Sequence, residues 1–198
     1  MKGLLIPFFL FYSCLAFSQQ YKLAVGNNIT TYIFTNSSGN NPSFLRPASG
    51  VHLSLSKENQ LKKSFFYDLG FVYNQFNNVG DVQNIPFSYS TDFIGLTAGL
   101  GPKIQFSKGL SIGAKLQMGA STLLIGNQLL QNQYVDLSKD AQFNSLKTFL
   151  GYSFEVNQKV NSLLGVFVKY ERLDNYNFGS STLNFNPSTF SLGLSISK

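Results

Sequence analysis

The stretch Leu110-Ser-Ile-Gly-Ala-Lys-Leu-Gln-Met-Gly-Ala-Ser-Thr-Leu-Leu124 decides the fold. Its even positions are Leu110, Ile112, Ala114, Leu116, Met118, Ala120, Thr122 and Leu124, and its odd positions begin Ser111, Gly113, Lys115, Gln117, Gly119 and Ser121. Successive side chains of a strand point to opposite faces, so this segment has one nearly apolar face and one small or polar face. The period is two, and a helical period of 3.6 does not describe it.

The pattern spreads in both directions. Upstream, Ile94, Leu96, Ala98, Leu100, Ile104 and Phe106 share one parity, and Gly95, Thr97, Gly99, Gly101, Lys103 and Gln105 the other. At the C-terminus Phe190, Leu192, Leu194 and Ile196 oppose Thr189, Ser191, Gly193, Ser195 and Ser197. Further strands are expected at Tyr21–Phe34, Pro47–Lys57, Ser64–Phe76, Ser145–Val156 and Ser162–Leu173. In the first, Asn27 falls on the apolar face, and a bulge at Asn27-Asn28 would restore the register. Eight strands leave connections at 35–46, 58–63, 77–91, 107–109, 126–144, 157–161 and 174–185, long and short in strict alternation. The long ones are rich in Asn, Ser, Gly and Pro. Outer-membrane barrels sort their connections this way, with short turns in the periplasm and long loops outside, and an even strand count returns both termini to the periplasm. The expected fold is all-β: an eight-stranded antiparallel up-and-down transmembrane β-barrel.

The first residues carry an address. Lys2, the apolar run Gly3 to Phe17, and small residues at Ala16 and Ser18 form a secretory signal peptide over 1–18, leaving 19–198 as the barrel. About fifteen apolar residues are short for a membrane span, which needs roughly 20. The lone Cys14 lies inside that signal; Phe11-Tyr12-Ser13 before it lacks the leucine of a lipoprotein signal, and the apolar run continues past it. The mature chain therefore has no thiol for disulfides, thiolate catalysis or metal binding.

Charged residues make up 12% of the chain and aromatic ones 15%, which suits a wall facing lipid on one side and polar groups on the other. With Lys2 removed, 14 basic residues face 9 acidic ones, scattered along the chain as turn residues are, so nucleic-acid binding is set aside. By parity Tyr21, Tyr67, Phe106 and Phe154 face outward near the short-turn end, and Tyr73, Tyr170 and Phe190 near the long-loop end, as two interfacial girdles would.

Ala16-Phe17-Ser18-Gln19, the Gly-rich strand Gly95-Leu-Thr-Ala-Gly-Leu-Gly101 and the C-terminal Phe190-Ser-Leu-Gly-Leu-Ser-Ile196 together resemble the PorT-like outer-membrane β-barrel domains of Bacteroidota. The resemblance spans nearly all of the mature chain and is one of texture. It implies an outer-membrane barrel, inserted by the barrel-assembly machinery, in a group where some members assist secretion or anchor surface complexes. The chain departs from such barrels in ending on Lys198 where an outward aromatic residue is usual.

Chemistry in the sequence is thin. His52 is the only histidine, and Ser54 shares its face at about 7 Å, too far for a base to activate a nucleophile directly. No Gly-x-Ser-x-Gly or His-Glu-x-x-His pattern occurs. The glycines fall on strands with no following helix, which removes a phosphate loop. The inward charges are more telling: Asp68, Lys103, Lys115, Lys147, Glu155, Lys169 and Glu171 all take the polar parity. Unpaired buried charge is costly, so opposite signs are expected to pair across a narrow lumen. Pairing about the 157–161 turn sets Lys147 opposite Glu171. Asp68, Lys103, Lys115 and Glu155 form a second group near the short turns.

The expected function is a non-enzymatic outer-membrane protein of a Gram-negative cell. It would act through its long loops as an adhesin, a structural protein or a partner in a surface or secretion complex. No cofactor, metal site or catalytic residue is expected; the partners are outer-membrane lipid, the assembly machinery and a protein at the loops. The alternatives are a small-solute or ion transporter, a lipid-modifying barrel enzyme built on His52, and a soluble lipocalin-like carrier, which would need its apolar side inward.

Overall fold

A computed structural model describes residues 19–34, 45–82, 85–106, 109–176 and 183–197. The signal peptide expected at 1–18 lies outside them, as do 35–44 and 177–182 of the long connections. The strands are β1 (Gln19–Phe34), β2 (Leu45–Lys62), β3 (Phe65–Val82), β4 (Ile85–Gln105), β5 (Leu110–Leu130), β6 (Gln133–Asp136), β7 (Lys147–Lys159), β8 (Leu164–Tyr176) and β9 (Leu183–Ser197), with one short helix, α1 (Ala141–Asn144).

Each strand pairs antiparallel with its neighbour in the order β4-β3-β2-β1-β9-β8-β7-β5, and β4 also pairs with β5. The ring therefore closes through eight strands and leaves no edge along its wall. It is an eight-stranded antiparallel transmembrane-type barrel. β6 is a ninth strand outside the ring, paired to the far end of β5. Both described ends of the chain, Gln19 and Ser197, lie at one rim beside the turns at 63–64 and 160–163; we call this the terminal end and the opposite rim the loop end.

The alternation read from the sequence is the wall itself. Leu23, Val25, Leu55, Phe71, Leu96, Met118, Leu150, Val168, Leu192 and Leu194 are exposed on the outer face, and Leu116 is 72% exposed. The opposite parity is buried and mostly polar, including Lys22, Asn28, His52, Glu58, Gln117 and Ser191. A soluble carrier would reverse the two faces, so the lipocalin-like reading falls.

The strands run further than expected. Residues 77–91, expected as a loop, continue β3 and β4 in unbroken register to the pair Val82–Ile85. Likewise β2 takes in residues 58–62 of an expected turn, and β5 reaches Leu130. The β3 and β4 extensions are rich in Asn, Ser and Gly, which reads as loop, yet each residue from Asn77 to Val82 has a register partner on the facing strand. The expected bulge at Asn27-Asn28 is absent, because β1 runs in register against both β2 and β9 through those residues. Asn27 does face outward and is accommodated by the Ser49 hydroxyl, which donates to its Oδ1 at 2.6 Å. The irregularities lie instead in β2 between Ala48 and His52 and between Gln60 and Lys62, and between Asp92 and Phe93 where β4 meets β5.

Two glycines set how closely the wall is filled. A Cβ on Gly193 would meet Cζ of Phe167 at 2.3 Å and the Leu23 carbonyl oxygen at 2.4 Å, so the glycine is what lets the Phe167 ring lie across the lumen. A Cβ on Gly101 would meet the Ala114 carbonyl oxygen at 2.0 Å.

Candidate functional site: a closed lumen

The lumen is built in layers. Nearest the terminal end, Lys22, Glu58, Asp68, Lys103, Lys115 and Glu155 project inward from β1, β2, β3, β4, β5 and β7, and none is more than 8% exposed. Glu58 is the hub. It accepts from Lys22 and Lys103 at 2.6 Å each and from Lys115 at 2.5 Å. Lys22 also reaches Glu155 at 2.6 Å, Lys103 lies 4.0 Å from Glu155, and Lys115 also donates to Asp68. Glu58 and Asp68 are direct register partners, which would be repulsive alone. Lys115 resolves this by donating to both. Three acids and three bases leave the cluster neutral, as a desolvated network requires.

The next layer is polar. Lys169 donates to Glu171 at 3.0 Å, and Glu155 lies opposite Lys169 in the ladder. His52 Nδ1 and Asn74 Oδ1 are 2.7 Å apart, while Asn28 and Gln117 bond to the Val51 carbonyl and the Ser153 hydroxyl. His52 is thus engaged by Asn74 on β3, and Ser54 takes no part in that bond.

Towards the loop end the inward parity changes from polar to aromatic. Tyr32, Phe76, Phe93, Phe149, Leu173, Leu183 and Phe185 pack as one cluster with Leu137 and Phe143. The Tyr32 and Phe185 rings meet edge-on at 4.7 Å, and the Phe76 and Phe185 rings stack at 5.6 Å. The Tyr32 hydroxyl donates to the Phe76 carbonyl at 2.8 Å, so its polar tip is satisfied inside the apolar layer. Leu137 and Phe143 come from the segment between β5 and β7, which folds back over the mouth. The Asp140 side chain caps α1 by accepting from the Gln142 amide at 2.8 Å. The amide and hydroxyl of Ser138 hold the Asp136 carboxyl below its usual range.

Lys147 is fully buried beneath this lid, donates to the Gln142 carbonyl and lies 5.4 Å from the centre of the Phe185 ring. It does not oppose Glu171. The residue opposite Glu171 is Ser153, because the β7–β8 turn falls at 160–163, later than the expected 157–161. That displacement is even in register, so every face assignment survives it while the pairing does not.

The expected lumen group of four was incomplete in Lys22 and Glu58. Glu58 falls in the connection expected at 58–63, and Lys22 sits on the strand whose apolar face Asn27 interrupts; both nevertheless carry the inward parity. The inward aromatic layer had the same signal, since Phe76, Phe93, Phe149 and Leu173 all share the parity of the lumen charges. Tyr21, Tyr67, Tyr73, Phe106, Phe154, Tyr170 and Phe190 lie on the outer face, with Tyr67 and Tyr73 half-buried between their neighbours. At the terminal end a vestibule of about 250 Å³, bordered by Gln20, Phe66, Lys103, Ser111 and Asn157, stops at Glu58. Among the described residues no group of three His, Cys, Asp or Glu side chains is placed to hold a metal ion.

No family model matches the chain. No curated protein matches it by sequence. Solved structures do match by fold. Neisserial surface protein A is 12% identical with a TM-score of 0.55, over 90% of this chain and 96% of its own. The outer membrane protein OprG from Pseudomonas aeruginosa is 12% identical with a TM-score of 0.52, over 92% and 96%. The outer membrane protease OmpT from Escherichia coli is 8% identical with a TM-score of 0.50, over 91% and 97%. At such identities the likeness is one of fold, and a surface protein and a protease share it: the architecture is that of outer-membrane β-barrels, and it does not select a function.

Proposed function

We propose that this chain is a Gram-negative outer-membrane barrel with a cleaved signal peptide and both mature termini in the periplasm. In this reading it is neither a pore nor an enzyme and acts through its loop end, as an adhesin, a structural protein or an anchoring partner of a surface or secretion complex. The observation that carries the reading is the filled lumen. The neutral ion cluster, the polar layer and the aromatic layer with its folded-in lid occupy the barrel from one side to the other. Eight strands enclose a space that side chains can fill, and here they do. With the interior filled, the surface left for a partner is at the loops. The texture shared with the PorT-like domains supports an anchoring or secretion role among these three.

The test is site-specific photocrosslinking in intact cells from Tyr134, which is 78% exposed on β6, with a lipid-facing position such as Leu116 as control. A discrete adduct from Tyr134 alone is the expected result. Stable conductance of the purified chain across a planar bilayer would replace this reading with the transporter.

A further inference from the structure

Charges that look scattered along the chain are sorted along the barrel axis. The acidic residues outside the lumen are Asp81, Asp92, Asp136, Asp140 and Asp174, and all lie in the loop half. There Arg46 pairs with Asp81 at 3.0 Å and Arg172 with Asp174 at 3.5 Å, Lys139 stands between Asp136 and Asp140 in the chain, and the buried Lys147 has the Gln142 carbonyl. The terminal end is different. Lys57, Lys62 and Lys63 stand on one side of it and Lys159 on the other, and among the described residues none of the four has a carboxylate within ion-pair distance. The lumen cluster beside them is neutral within itself and offers them no counter-charge.

We propose that this rim is a cationic collar that binds the phosphate headgroups of anionic phospholipids in the leaflet it touches. Three observations favour a lipid surface over a docked macromolecule. Lys57 faces outward, its ammonium 5.8 Å from the centre of the Tyr21 ring, on the same face as the apolar wall. Lys62 and Lys63 sit at the β2–β3 turn and Lys159 at the end of β7, and β2 and β7 are on opposite sides of the eight-strand ring. Three of the four lysines thus stand on one side and the fourth across the ring; a headgroup layer around the barrel meets both sides at once, whereas a single docked protein would engage one arc. Tyr67 and Phe154 share the outer face near this rim, where aromatic residues bracket an apolar band. Basic side chains beside a membrane surface are attracted to its anionic lipids, by roughly fivefold in binding per lysine at low salt.

The proposal rests on the membrane-barrel reading and is tested in a symmetric bilayer, so it does not depend on which rim faces the periplasm. The mature chain is reconstituted in phosphatidylcholine vesicles, and spin-labelled phosphatidylglycerol is compared with spin-labelled phosphatidylcholine for immobilisation at the barrel. The variants are Lys57→Gln, Lys62→Gln, Lys63→Gln and Lys159→Gln combined, and Arg46→Gln with Lys139→Gln as a loop-end control; all are checked for heat-modifiable folding. The expected result is a several-fold preference for phosphatidylglycerol in the wild type and the control, falling to near one in the rim variant and in high salt. No preference in the wild type, or one that the rim variant keeps, overturns the collar while leaving the barrel intact. Rim-dependent capture of soluble polyglutamate without a lipid preference also overturns it and points to an acidic protein. Failure of the wild type to insert at all sinks both readings.

Discussion

Glu58 accepts three ammonium groups inside the wall, and each of them loses a buried counter-charge if its carboxylate is neutralised. Breaking a buried ion pair by removing one partner costs about 3–5 kcal/mol, because the other charge is stranded. Glu58→Gln is therefore expected to lower stability by about that amount in denaturant unfolding from detergent micelles, followed by circular dichroism. Asp68→Asn should cost less, since it removes one contact to one lysine. If Asp68→Asn proves the more damaging, Glu58 is not the hub. Lys22 and Glu155 offer a pairwise check across the lumen, at 2.6 Å. Lys22→Met, Glu155→Gln and the double variant should show a coupling of about 0.5–3 kcal/mol, the range for residues in one network. Simple additivity would mean that the two groups are separately solvated.

At the scale of the element, the segment between β5 and β7 is a lid with its own local structure. β6 holds it to the β5 extension, Asp140 caps α1, and Phe143, only 3% exposed, inserts into the aromatic layer. Truncating a buried Phe typically costs about 3–5 kcal/mol where the site cannot collapse. A lid, however, opens locally, and its loss need not unfold the wall. Phe143→Ala is thus expected to expose residues 131–146 to added protease while the barrel below stays folded. A lid as protected as the wild type's would show that Phe143 does not anchor it. The same segment reads from its sequence only as a polar connection. Its anchors, Leu137 and Phe143, are isolated apolar residues whose burial depends on a cluster supplied by β1, β3, β4, β7, β8 and β9.

For the whole molecule, closure has a mechanical signature. Every strand of the ring has two neighbours, so there is no edge from which to peel the wall. The protein should fractionate with outer membrane, need detergent for extraction, and migrate differently on a detergent gel before and after boiling. Release into a soluble periplasmic fraction would sink the membrane assignment. The layered lumen adds that planar bilayers containing the chain should stay electrically silent. In the Glu58→Gln variant they should stay silent too, because the aromatic layer seals the lumen independently of the ion cluster.

Local alternation was enough to determine the strand character of this chain and the face most of its residues take, and the sorting of its connections pointed to an eight-strand ring. Side-chain parity is a property of the strand alone, so it survives errors in where a strand begins or ends. It assigned Asp68, Lys103, Lys115, Glu155, Lys169 and Glu171 to the lumen without any knowledge of their partners. Pairings were a different matter. The position of one turn, 160–163, decides that Glu155 faces Lys169 and that Lys147 lies six residues from the position opposite Glu171. Strand length likewise depended on the neighbour: the Asn- and Ser-rich ends of β3 and β4 are strands because each completes the other's hydrogen bonds. Only the tertiary structure decided that Glu58 gathers three lysines from three strands, that the loop-end lumen is aromatic, and that lysines far apart in the chain share one rim. All three depend on distances across a closed ring, which a period-two pattern does not contain.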